Sequence, residues 1–367
     1  MSMRLFSFFV SVVFVFFVHV GPALSGTTIY VSKNGDDSDG KSWETAFHTV
    51  QQGLLAVPDT KGGHRVVVRP DTYMEPNLFP LRKGAKGAYN ELIGDVDGTL
   101  GSGAKGYVIL DSSEPNRGYH CFDWFSSIRA YDKNWSEKHK DGEDFSSVAW
   151  DRWKLKNLYA SGSDAGLYFD LVGKVEPFSV IVEDCVAIGR AFALGVANHE
   201  PREGEPCLFR RTYGMCLDWW GDAGAAYVRG HSESIPEHPH AVFEDCTLVS
   251  PDNAVENCYS VYPGYTYIQL KKCRLIVINF SQPNGTPSTG IIRTPCPGEQ
   301  YKVDLEDCDM MGYKVFGCEG GGEIQYSLKG RNRVYVQFQQ EIPKGMEPFE
   351  GWPVELWQHL SPPTVQP

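Results

Sequence analysis

The chain has 367 residues, 42% hydrophobic and 22% charged, with 38 glycines, 23 prolines and a formal net charge of -12. That length exceeds one ordinary globular core, so two domains or an elongated repeat are expected, and the glycine and proline content favours short strands over long helices. The acidity excludes a phosphate-neutralising nucleic-acid surface and confines any acidic partner to a local basic cluster.

Residues 1–25 are predicted to be a signal peptide. Arg4 supplies the positive start, Leu5 to Val20 an almost unbroken apolar run, and Ala23-Leu-Ser25 the small residues that a signal peptidase reads. The run is short for a permanent anchor, so a secreted protein, extracellular or periplasmic and free of the membrane after cleavage, is expected. All ten cysteines follow this segment. Export permits disulfides without proving them, and no CxxC pair or zinc spacing is present.

Residues 26–60 read as an N-terminal cap. Thr45 to Val57 places Ala46, Val50, Gly53, Leu54 and Val57 on one helical stripe, suited to close an open solenoid end. The preceding turn, Gly35-Asp-Asp-Ser-Asp-Gly40, has enough oxygen to be a candidate Ca2+ site, the one cofactor suggested. Residues 114–152, with Trp124, Trp135 and Trp150, interrupt the pattern and read as a lateral loop insertion.

A repeat follows. Val180-Ile-Val-Glu-Asp-Cys185, Cys207-Leu-Phe-Arg-Arg-Thr212, Ala241-Val-Phe-Glu-Asp-Cys246, Tyr267-Ile-Gln-Leu-Lys-Lys-Cys273 and Lys302-Val-Asp-Leu-Glu-Asp-Cys308 share one shape, and Trp153-Lys-Leu-Lys-Asn157 fits loosely. Their last residues are separated by 28, 27, 34, 27 and 35 positions, steps that suit one turn of a β-solenoid whose units are stable only when stacked. Cys185, Cys246, Cys273 and Cys308 then form an inward ladder of small apolar fillers. A second strand family follows each anchor, so every coil has at least two strands. Residues 346–360 read as a closing cap and 361–367 as a frayed tail, making 26–360 one elongated domain, expected to be monomeric.

Tyr30-Val-Ser-Lys-Asn-Gly-Asp-Asp-Ser-Asp-Gly-Lys-Ser-Trp-Glu-Thr-Ala-Phe-His-Thr-Val50 and Arg65-Val-Val-Val-Arg-Pro-Asp-Thr-Tyr73 resemble the entry segment of exported proteins of the pectin lyase-like superfamily, with Asp71 where glycine is usual. The resemblance implies an all-β fold: a right-handed parallel β-helix with a short N-terminal capping helix and lateral loops. The superfamily includes lyases and hydrolases acting on acidic glycans, besides binding and structural members. No stretch matches the catalytic motif of a particular enzyme family, so no catalytic residue is carried over.

Placing the second strand family in register gathers Asp170, Arg229, Arg293 and Glu319 at the strand ends, with His199, His231 and Tyr259 beside them. Two arginines on nearby coils suit a uronate carboxylate, and β-elimination beside that carboxylate needs a base, here His231 or Tyr259. The alternative at this point is that the arginines pair with Asp170, Glu233 and Glu319 as surface bridges. Asp218 and Asp222, flanking Trp219 and Trp220, offer the carboxylates of a glycoside hydrolase and a sugar-stacking platform, or simply shape a turn. The histidines of 231–240 are separated by prolines and read as a loop, not a metal centre. Three readings stay open: a lyase on an acidic polysaccharide, a hydrolase on the same fold, and a non-catalytic glycan-binding protein.

Overall fold

The computed structural model describes residues 26–76, 78–112, 147–162, 165–171, 176–217, 224–230, 232, 234–256, 265–278, 290–294, 300–318, 323–337 and 342–363. The expected signal peptide and most of the expected lateral loop lie outside them. Among the described residues the chain forms a ten-stranded sheet, a second ten-stranded sheet and a six-stranded sheet, and every pairing between their strands is parallel. One coil runs through Val180–Glu183 of the first sheet, Val186–Gly189 of the second and Phe192–His199 of the third, and the next begins at Cys207. Right-handed winding is what a twisted strand feeding a parallel neighbour favours. The fold is a right-handed parallel β-helix, with three strands per coil from Trp153 to Cys318.

Alternation builds the core. Along the first sheet, Ile29, Val66, Leu92, Leu155, Val182, Phe209, Phe243, Leu270, Leu305 and Leu328 occupy one register column through all ten strands. All but Leu328 are buried, and the Phe209 and Phe243 rings stack 4.7 Å apart at 8°. Each such side chain contributes about 1.5–3 kcal/mol on burial. The outward neighbours form a second column of alternating charge: Lys156, Glu183, Arg210, Glu244, Lys271, Glu306 and Lys329.

The bend from first to second sheet takes one left-handed residue per coil. Asn157, Asp184, Arg211, Asp245, Lys272 and Asp307 have φ between 48° and 56°. Asparagine and aspartate tolerate this region; Arg211 also holds Asp184 in two hydrogen bonds of 2.6 and 2.9 Å. The next position turns inward and carries the expected cysteine ladder. Cys185, Cys246, Cys273 and Cys308 are buried and unbridged, each thiol bonding a carbonyl of the preceding coil. Thr212 makes the same kind of bond to Val182 O, and Asn332 continues the ladder to Leu305 O. Register equates Cys185 with Leu158, so the loose anchor at 157 is one residue out.

Three local expectations need correction. The N-terminal helix, α1, covers only Val50–Leu55 with Thr49 as N-cap. The segment before it is claimed by the edge strand Thr28–Val31: Phe47 bridges Val31, and Phe47 N–H bonds Tyr30 O at 3.0 Å. Trp150 is not on a lateral loop; it is fully buried against Trp153 and Phe169. The C-terminal segment does more than close the end. After Glu347–Pro348 joins the second sheet, helix α2 (Val354–Trp357) lies back along that sheet's outer face, with Phe349 and Leu356 packed among Val186, Tyr213, Val249, Ile276 and Met311. Tyr213 Oη donates to Leu360 O at 2.8 Å, pinning this strap.

Candidate functional site

The third sheet carries the residues singled out from sequence. Leu167, Phe169, Leu194, Val196, Ala226, Val228, Val255 and Ile292 face the core, so their neighbours face outward. Two outward columns result. One holds Tyr168, Gly195, Tyr227, Arg293 and Gly317, its register passing through the backbone of residue 256; the other, two residues further along the strands, holds Asp170, Ala197 and Arg229. Asp170 and Arg229 therefore flank Ala197, about 10 Å apart at the backbone. Arg229 and Arg293 are offset by two strands and two residues, about 12 Å apart, a gap two guanidinium side chains can span.

Their environments differ. Asp170 is 8% exposed and accepts hydrogen bonds from Asn198 Nδ2 at 2.6 Å and Tyr168 Oη at 3.0 Å. Arg229 is half-buried and has no ion pair with a described residue; of the alternative partners Asp170, Glu233 and Glu319, only Asp170 is described, and Arg229 does not bridge it. Arg293 is 3% exposed, so of the two arginines Arg229 is the one that solvent reaches. Beside them Tyr168, Phe192 and Tyr227 form an aromatic group with ring centroids 4.4–5.9 Å apart. Gly195 permits it: a Cβ there would meet Tyr168 Cδ2 at 2.6 Å.

His199 is not on this face. Asn198 has φ 57° and the register slips between Ala197 and His199, which reverses the alternation and turns the imidazole inward. His199 is fully buried; its Nε2 donates to His240 O at 3.1 Å, and its Nδ1 has no hydrogen-bond partner. Burial lowers its pKa to about 4, and burial beside His199 pushes His240 well below the usual histidine range. His240 accepts from Tyr267 N–H at 3.1 Å and meets Ser232 Oγ at 3.2 Å. Gly230 makes room, since a Cβ there would meet His240 Nε2 at 2.3 Å.

His231, Tyr259, Asp218, Trp219, Trp220, Asp222 and Glu319 lie outside the described residues. Asn198 and Tyr168, which orient Asp170, were missed from sequence; the usable signal was an asparagine, the side chain most tolerant of φ above zero, near the end of a strand. In the candidate calcium turn each carboxylate serves a local donor: Asp36 takes Ser38 N–H, Asp37 takes His48 N–H and Asp39 takes Lys41 N–H. Among the described residues no group of three His, Cys, Asp or Glu is placed to hold a metal ion.

The class defined by this architecture is the right-handed parallel β-helix with an outward polar and aromatic face on its third sheet. No family model matches the chain, and no curated protein does. Solved structures are similar to it: pectate lyase Pel9A at 13% identity and a TM-score of 0.50, covering 88% of this chain and 73% of that one. A rhamnogalacturonan lyase follows at 14% identity and a TM-score of 0.44, covering 84% and 74%. Escherichia coli ybhc matches at 10% identity and a TM-score of 0.40, covering 88% of each. At such identities the likeness is one of fold: this chain has the β-helix of pectate lyase Pel9A.

Proposed function

We propose that this is an exported carbohydrate-active protein that holds an acidic polysaccharide along the outer face of the third sheet and cleaves it by β-elimination. The observation that carries the reading is Arg229: a half-buried cation with no counter-ion among the described residues, in a chain of net charge -12. A polyanion is repelled by the molecule as a whole, so a local unpaired guanidinium is where its carboxylate settles. Bound there, the carboxylate shares charge with Arg229, and the proton on the adjacent ring carbon becomes easier to remove. The electron pair from that C–H bond forms the C=C bond as the glycosidic C–O bond breaks, and the leaving oxygen takes a proton. His231 or Tyr259 is the proposed base. Asp170 orients a neighbouring hydroxyl or the polymer backbone from its fixed position. The aromatic group beside it supports the polymer at the rim.

The nearest rival reactions are hydrolysis by Asp218 and Asp222 and binding without chemistry. Incubating purified protein with a panel of uronate polymers separates them. Ultraviolet absorbance from new unsaturated uronate ends supports elimination, and new reducing ends without it support hydrolysis. Binding without either supports a glycan-binding protein. No binding to any member overturns the whole reading.

A further inference from the structure

The outer face of the first sheet, away from the third-sheet residues, carries a groove of about 340 Å3. Its floor is the register row Leu208, Val242 and Gln269. One wall is the charged column Arg210, Glu244 and Lys271, and the other comes from the returning segments at Arg202, Gly204, Pro206, His238 and Pro239. We propose that this groove is a second glycan site, and that it takes a carboxylate-bearing sugar through Lys271.

The charge column shows why Lys271 is singled out. Arg210 bridges Glu183 at 3.0 Å and Glu244 at 2.7 Å, and Lys329 takes Glu306 at 2.8 Å. Lys156 reaches Asp184 at 3.8 Å. Both carboxylates that stand next to Lys271 in register are thus engaged elsewhere, and Lys271 has no ion pair among the described residues. Arg202 is likewise engaged, in two bonds to Asp151 of 2.7 and 3.1 Å. The groove therefore offers one unneutralised ammonium at the edge of an aliphatic floor, with His238 as a further donor on its lining. A saccharide ring carrying a carboxylate matches both features: its apolar C–H face lies on Leu208 and Val242 while the anion meets Lys271. Gln269 donates to Tyr267 Oη at 2.6 Å, which fixes its amide at the floor for a sugar hydroxyl. The site is independent of any chemistry on the third sheet. It gives a polymeric ligand a second hold on the same molecule, which raises avidity without a new catalytic group.

The test is calorimetric titration with trigalacturonate, using Arg229→Ala protein so that the third-sheet face does not contribute. Binding is expected to persist there, to weaken about tenfold or more when Lys271→Gln is added, and to be unchanged by Lys83→Gln, a charge-matched control. Leu208→Trp, which fills the floor from outside, is expected to abolish it. The methyl-esterified trimer is expected not to bind. Equal binding with and without Lys271, binding of the esterified trimer, or equal binding of oligoglutamate at this groove would each overturn the assignment. Loss of all binding in Arg229→Ala alone would overturn it while leaving the third-sheet reading intact.

Discussion

Asn198 holds the Asp170 carboxylate at 2.6 Å while its own backbone stands at φ 57°, and the same residue turns His199 from the outer face into the core. One left-handed residue thus sets both the carboxylate on the candidate face and the buried histidine pair behind it. The two contributions separate by substitution. Asn198→Gly keeps the backbone free to adopt this φ and removes the bond to a buried carboxylate, an expected loss of about 1.5–3 kcal/mol. Asn198→Ala adds about 1 kcal/mol for a Cβ in the left-handed region. Urea denaturation of both variants checks the order; alanine proving milder than glycine would contradict it.

Arg229 and Arg293 are expected to diverge. Arg229→Met leaves stability within about 0.5 kcal/mol, because no described partner is lost, but lowers affinity for polygalacturonate about tenfold or more. Arg293→Met removes a buried guanidinium and is expected to cost about 2 kcal/mol or more of stability. Melting curves and polymer binding on the same two proteins make the comparison. Equal effects on binding with no difference in stability would show that the two arginines share one exposed role.

The six buried thiols at Cys185, Cys207, Cys216, Cys246, Cys273 and Cys308 are structural. Burial pushes Cys185 and Cys207 up to about 12, and the thiolate needed for reaction is absent at neutral pH. Native protein treated with maleimide and mapped by mass spectrometry is expected to leave all six unmodified until denaturant is added. Rapid native labelling at any of them would show that the ladder opens.

His199 and His240 make stability fall with acid. The native state keeps His199 neutral down to about pH 4 and burial beside His199 holds His240 well below the usual histidine range, whereas the unfolded chain protonates both near the ordinary value of 6.5. Their burial is therefore fully compatible with the fold above about pH 6.5. Stability declines as pH drops from there toward 4, by about 3 kcal/mol for His199 alone. His199→Gln is expected to flatten this decline in denaturation measured from pH 7 to pH 4. An unchanged slope would place the acid sensitivity elsewhere.

Much of the architecture was legible because stacking repeats a local chemistry. Cys185, Thr212, Cys246, Cys273 and Cys308 mark the same corner of successive coils, and a small donor is needed there to bond the coil below. Asp170, Arg229 and Arg293 were brought to one side, together with Glu319 outside the described residues, by placing the second strand family in register. Counting failed at His199, where a single φ reverses the parity, and at Trp150, whose place in the core depends on partners distant in the fold. It also could not reveal that Phe47 pairs with a strand edge, or that the segment carrying Leu356 doubles back over the second sheet. Those outcomes are decided by which surface needs covering, a property of the assembled coils and not of any short stretch.

The most direct measurement is a crystal structure of the protein soaked with an oligogalacturonide. A uronate carboxylate within hydrogen-bonding distance of Arg229, with its ring lying along the column of Asp170 and Ala197, is the expected density. An oligosaccharide bound with its carboxylates on another surface, and Arg229 facing bare solvent, would contradict the third sheet as the working face.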